Sequence, residues 1–155
     1  MQLIIGKETV LIDDADRELI ASKNIKIRHN KPDYPVVFAN GKVLARLLLE
    51  APDDQEVDHK NGDSLDNRRE NLRFCTRSQN CQNRRRHSNN RSGFKGVYFD
   101  PQNCNRWTTG RWIAQIRVNG KKIRRIAHSK EEAARIYDDL ARRFHGEFAR
   151  TNSDI

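Results

Sequence analysis

The sequence predicts an α+β protein built from small modules: a β-rich scaffold, a strand–strand–helix unit, and an antiparallel sheet backed by one helix. Three observations predict it. Only 35% of the 155 residues are hydrophobic, too few for one large core but enough for small ones. Strand-like runs recur around turn signals at Gly6-Lys7, Asn40-Gly41 and Asn119-Gly120. Residues 129–146 carry a capping box followed by apolar residues at helical spacing.

The elements follow in order. Leu3-Ile4-Ile5 and Val10-Leu11-Ile12 read as strands, and Asp13-Asp14-Ala15-Asp16 starts a brief helix reaching Leu19-Ile20. Ile25 to Arg28 and Tyr34 to Phe38 are strand-like, and Ala45 to Glu50 forms a short helix before Pro52. This scaffold, residues 1–56, carries no recognisable chemistry. Val57-Asp58-His59 ends a short strand, Asn61-Gly62-Asp63 begins a loop, and Leu72 to Cys75 is a second strand. Thr76-x-x-Gln79 then caps a helix with Asn80 and Asn83 in its first two turns. Residues 81–92 are polar, basic and nearly free of apolar side chains, a linker composition.

Beyond the linker, Phe94 to Phe99 is strand-like. Arg111 to Val118 alternates, with Trp112, Ala114, Ile116 and Val118 on one face and Arg111, Ile113, Gln115 and Arg117 on the other. A type I′ turn at Asn119-Gly120 pairs Ile116 with Ile123, Arg117 with Lys122, and Gln115 with Arg124. Ser129 and Glu132 cap a helix whose core stripe is Ala133, Ile136, Tyr137, Leu140, Ala141 and Phe144, and Gly146 stops it. The helix backs the sheet, leaving the other face open.

Charge points to a polyanion. The net charge is +9, but residues 1–56 sum to −2 and residues 57–155 to +11. Residues 91–128 alone hold nine basic side chains and one acidic. Arg84-Arg85-Arg86 suits a phosphate-tracking linker. No apolar run spans a membrane and MQLIIGKETV lacks a secretory apolar region, so a cytoplasmic protein without a membrane partner is expected. Cys75, Cys81 and Cys104 have no zinc-ligand spacing, so reduced thiols and no structural zinc are expected.

Two strands and a helix set Asp58 and His59 opposite Asn80. Carboxylate and amide oxygens suit Mg²⁺ or Mn²⁺, one per active site, and a near-neutral imidazole beside them suits proton removal from water. That combination is phosphodiester hydrolysis. Residues 57–83, VDHKNGDSLDNRRENLRFCTRSQNCQN, resemble the HNH, or ββα-metal, nuclease motif in its phage homing-endonuclease form. The resemblance implies Asp58 and Asn80 as metal ligands and His59 as general base. It makes Asn71 the middle Asn, which ties the loop and orients His59, and Asn83 a further Asn for phosphate contact or capping. LIDDADRELIA and ARLLLEAP resemble the family's lead-in, with Ala45 where a His is expected.

SGFKGVYFD, GRWIAQIRVNGKKI, EEAARIYDD and HGEFARTN resemble the AP2/ERF DNA-binding domain appended to many such endonucleases. The resemblance implies three strands in the major groove, with Lys95, Gln115 and Arg117 facing it and Trp107 meeting a base. Tyr98 and Asp100 stand where plant members carry Arg, and the insert QNCNRWTTG is longer than usual. The third strand lacks the family's Leu-Gly-x-Phe pattern, so its contacts follow the hairpin register, with Arg124, Lys122 and Arg111 added to the DNA set. The implied organisation is scaffold 1–56, nuclease motif 57–86, basic linker 87–92 and AP2-like domain 93–155. The expected function is metal-dependent cleavage of double-stranded DNA by a monomer or weak dimer, nicking with one site and cutting both strands with two. The competing class is a catalytically inactive DNA-binding regulator. An RNA-binding module is disfavoured, because the sheet lacks stacked surface aromatics.

Overall fold

Gly6 turns the chain at φ +64°, folding Gln2–Ile5 (β1) back on Glu8–Leu11 (β2). The computed structural model describes residues 1–31, 34–102 and 110–154. It divides into two units, Met1–Cys81 and Gln82–Ile155.

In the first unit the brief helix is a 3-10 turn, Asp14–Asp16, running into Arg17–Ala21 (α1). Ile25–Lys31 (β3) pairs antiparallel with Tyr34–Ala39 (β4), and Asn40-Gly41 turns β4 into Lys42–Val43 (β5). The short helix is Leu44–Leu48 (α2), ending before the expected Glu50, which sits at φ +50°. Val10, Ile12, Val37, Leu44 and Leu48 form the core with Leu72. Glu56–His59 (β6) pairs with Leu72–Cys75 (β7), and Arg77–Asn83 (α3) follows. Its capping box is complete: Gln79 N–H donates to Thr76 Oγ1 at 3.3 Å, and Thr76 N–H to Gln79 Oε1 at 2.8 Å.

The scaffold holds the loop between β6 and β7. Leu11 donates to the Leu65 carbonyl and accepts from Asn67 N–H, each at 2.8 Å. Arg69 N–H donates to Asp13 at 2.7 Å, and its guanidinium grips buried Asp16, also at 2.7 Å. Residues 1–56 have a mechanical task that composition does not reveal: they fix residues 60–71.

In the second unit Val97–Asp100 (β8), Arg111–Val118 (β9) and Lys121–Ala127 (β10) form one antiparallel sheet with β9 central. The hairpin register is the expected one, Ile116 facing Ile123, Arg117 facing Lys122 and Gln115 facing Arg124. The first strand starts at Val97 instead of Phe94. Ser92 Oγ donates to the Val97 carbonyl at 2.8 Å, and Gly93 and Gly96 take φ +83° and +71°, so the chain turns where alternation alone suggested a strand.

Lys130–His145 (α4) lays Ala133, Ala134, Tyr137 and Ala141 on Val97, Ala114, Ile116 and Ala127. Ser129 Oγ accepts from Glu132 N–H at 3.0 Å. The return bond to Glu132 comes from His128 N–H, one residue earlier than a standard box, at 2.8 Å. Ser129→Ala is expected to cost about 1 kcal/mol, read as a lower thermal midpoint. After α4, Asp138 accepts from Asn152 N–H at 2.7 Å, and Asn152 Oδ1 accepts from Lys95 N–H at 2.6 Å. Those bonds tie polar Asn152 to α4 and to the chain before β8. No helix among the described residues is long and apolar enough to cross a membrane.

Candidate active site

Residues two apart on a strand share a face, so Glu56 and Asp58 of β6 point the same way, opposite Cys75 and Arg73 of β7. Asn80 reaches this face from the first turns of α3, and its Nδ2 donates to Glu56 Oε2 at 2.7 Å. That bond turns the Asn80 carbonyl oxygen away from Glu56. Asp58 is buried at 6% exposure, and its Oδ2 accepts from Arg73 Nε at 3.0 Å and Nη2 at 2.7 Å. A carboxylate in such a place needs a cation beside it, and Arg73 supplies one. Burial pushes the Cys75 thiol up to about 11, helped by Asp58 and Glu56, which keeps it protonated and unreactive.

His59 ends β6. Its Nε2 lies 3.3 Å from Asn67 Oδ1, and Asn67 Nδ2 donates to the Ser64 carbonyl at 3.1 Å. The second bond orients the amide, so the oxygen faces the ring and accepts from Nε2–H. The imidazole lone pair therefore sits on Nδ1. Burial holds His59 below the ordinary imidazole value, against opposing pulls from the Asn67 bond and from Asp58, Asp63 and Asp66. The ring is neutral at neutral pH and able to accept a proton.

Asn71 was expected to tie the loop and to orient His59. Its side chain does the first: Oδ1 accepts from Asn61 N–H at 3.0 Å, while Nδ2 donates to Asn61 Oδ1 at 3.1 Å and the Asp66 carbonyl at 2.7 Å. The side chain bonded to His59 is that of Asn67, four residues earlier. Asn71→Ala leaves the Asn61 N–H without that acceptor inside the loop, and is expected to cost about 1–3 kcal/mol in chemical denaturation. Asp66 completes the brace, accepting from Arg68 Nε and Nη2 at 2.8 Å and from Asn61 Nδ2 at 2.9 Å. The Arg68 bonds hold its carboxyl below the usual range.

Sequence reasoning missed Glu56, Asn67 and Arg73. The Asp58–Arg73 pairing follows from strand register, and two facing charges on adjacent short strands were the available signal. Asn67 carried none, since a buried Asn in a polar loop looks like any turn residue. Among the described residues no cluster of three or more His, Cys, Asp or Glu side chains is arranged to hold a metal.

The expected nucleic-acid residues fall in several places. Gln115, Arg117, Lys122 and Arg124 share the sheet face away from α4, with Tyr98 and Arg111, and Arg124 Nε donates to Gln115 Oε1 at 2.9 Å. Arg84, Arg85 and Arg86 are exposed just after α3, while Asn83, in its last turn, is buried at 5% exposure. Lys95 does not join the open sheet face. It precedes β8 on the parity of Val97, its Nζ donates to the Gln82 carbonyl, and burial lowers its pKa to about 8. Trp107 lies outside the described residues.

Residues 50–82 match a family model described as HNH endonuclease. The chain is 33% identical to an uncharacterized HNH endonuclease of Acanthamoeba polyphaga mimivirus, over 95% of this chain and 76% of that relative. It is also 33% identical to an ethylene-responsive transcription factor of Medicago truncatula, over 57% of this chain and 32% of that protein. No solved structure matches the chain.

Proposed function

The chain belongs to the HNH endonuclease family, and from that premise we propose a metal-dependent DNA endonuclease of homing type. Its first unit hydrolyses the phosphodiester, and its AP2-like second unit grips the duplex. The observation that carries this reading is the meeting of Asn80 with the Asp58 face of β6, one residue from a half-buried, oriented His59.

The donor set fits a hard divalent cation. Asp58 offers carboxylate oxygen and Asn80 an amide oxygen turned away from Glu56. Two protein oxygens with water completing the shell suit Mg²⁺, with Mn²⁺ as substitute, better than Zn²⁺. When bound, such an ion supplies Lewis-acid polarisation of the phosphate and stabilises the departing oxygen.

The chain's own residues do the rest. His59 Nδ1 takes a proton from the water that attacks phosphorus, and Asn67 holds Nε2–H as the ring becomes cationic. The new P–O bond forms as the P–O3′ bond breaks, leaving a 5′-phosphate and a 3′-hydroxyl. Arg73 keeps the buried Asp58 carboxylate compensated, and Glu56 keeps the Asn80 amide from rotating. One centre per chain makes a nick the product of a single event. The likeness of 57% of the chain to a transcription factor supports duplex DNA as the partner.

Supercoiled plasmid tests the proposal. With Mg²⁺ or Mn²⁺ the expected product is open circles, with none in EDTA and recovery on adding excess Mg²⁺. Plasmid left intact across divalent ions and sequences, though still bound, favours the non-cleaving regulator.

A further inference from the structure

The sheet face turned away from α4 is not uniformly polar. Register sets Tyr98 of β8, Ile113 of β9 and Ile126 of β10 side by side across its middle. Ile113, at 5% exposure, floors the row, while Tyr98 at 36% and Ile126 at 56% stay open on either side. The hydrophobic core lies on the opposite face, under α4, and does not use this row. The next row holds Gln115 bonded to Arg124, and Arg117 lies beyond it.

An apolar strip exposed at Tyr98 and Ile126, with Arg124 in the row on one side and Arg111 opposite Asp100 in the row on the other, needs a partner that offers apolar and anionic groups together. A protein groove matches the strip, and the cations only where carboxylates rim it. The DNA major groove matches both: phosphates along its rims meet the arginines, and the thymine C5-methyl is the apolar group its floor presents. The dimensions agree. Three strands about 4.8 Å apart span about 10 Å, inside a groove about 12 Å wide. Rows on one face are about 6.8 Å apart, or two base steps.

We infer that the Tyr98–Ile113–Ile126 row reads the methyl group of a thymine, so that the target carries thymine within about two base steps of the nucleotide that Arg124 faces. The inference deepens the proposed function and rests on its DNA-binding half. It assigns a preference to residues that departed from the family pattern, Tyr98 among them.

The test uses the full chain in EDTA, so that bound sites survive, to enrich duplexes from a randomised library. Each thymine of the enriched site is then replaced singly by uracil, which removes only the methyl. One replacement is expected to weaken binding about fourfold, the equivalent of one methyl group buried. Ile126→Ala, a change at an exposed position that folding tolerates, is expected to bind the thymine and uracil duplexes alike. Uracil that costs nothing at every position overturns the inference and leaves DNA binding standing. So does an Ile126→Ala protein that still discriminates. A library from which nothing is enriched overturns the DNA-binding reading and this inference together.

Discussion

His59→Ala is expected to slow DNA cleavage by about a hundredfold to ten-thousandfold while duplex affinity stays near wild type. The size follows from the environment of the ring. Burial keeps the imidazole neutral, and the Asn67 bond presents the lone pair on Nδ1, so the wild-type side chain is already in the form that accepts a proton. Alanine leaves nothing in that place to take a proton from water. The hydrogen bond to Asn67 is lost as well, so the fold of the variant is checked by its thermal midpoint alongside the rates. Single-turnover cleavage at saturating protein, with binding measured separately by mobility shift, checks it. Equal rates for the two proteins remove His59 from the chemistry.

Gly96→Ala is expected to destabilise the second unit by more than about 3 kcal/mol and to abolish tight DNA binding with it. A Cβ at Gly96 meets Tyr137 Cδ2 at 2.0 Å, Cε2 at 2.2 Å and the Gln115 carbonyl oxygen at 2.9 Å. Tyr137 is buried in the core and cannot swing aside, and the carbonyl is part of β9. The backbone at φ +71° adds strain of its own. Gly93→Ala is the control: φ is +83° there, but nothing lies within 4 Å, so only the backbone penalty, about 1 kcal/mol, is expected. Chemical denaturation of both variants measures the difference. Equal midpoints contradict the packing argument.

How much of this was legible in the sequence depends on the range of the interaction. The Arg111–Val118 strand, the hairpin register, the Thr76–Gln79 capping box and the Ser129 cap rest on neighbours a few residues apart, and local sequence pattern reports them. Alternation predicts a strand from Phe94, but β8 starts at Val97 because Ser92 donates to the Val97 carbonyl, a side-chain bond that alternation does not encode. Lys95, which the family resemblance places toward the groove, shares the parity of Val97, a core residue, and so lies off the open face. At the proposed site, Asp58, His59 and Asn80 are legible in the sequence as candidates, but the side chains bonded to them are not. Arg69 reaches Asp16 across 53 residues of chain, and Glu56 reaches Asn80 across 24. Bonds that long leave no spacing to read. Residues 1–56 looked devoid of function for the same reason: their contribution is to hold the loop of Asn67 and Asn71, and that contribution exists only in three dimensions.

The most direct test of the proposed metal centre is calorimetric titration of Mn²⁺ into the full chain, wild type against Asp58→Asn. The substitution keeps the shape of the side chain and an oxygen for Arg73 but removes the charge. One equivalent of Mn²⁺ per wild-type chain, with binding weakened at least about tenfold in Asp58→Asn, is the expected result. Equal binding by the two proteins contradicts a metal centre at Asp58 and Asn80.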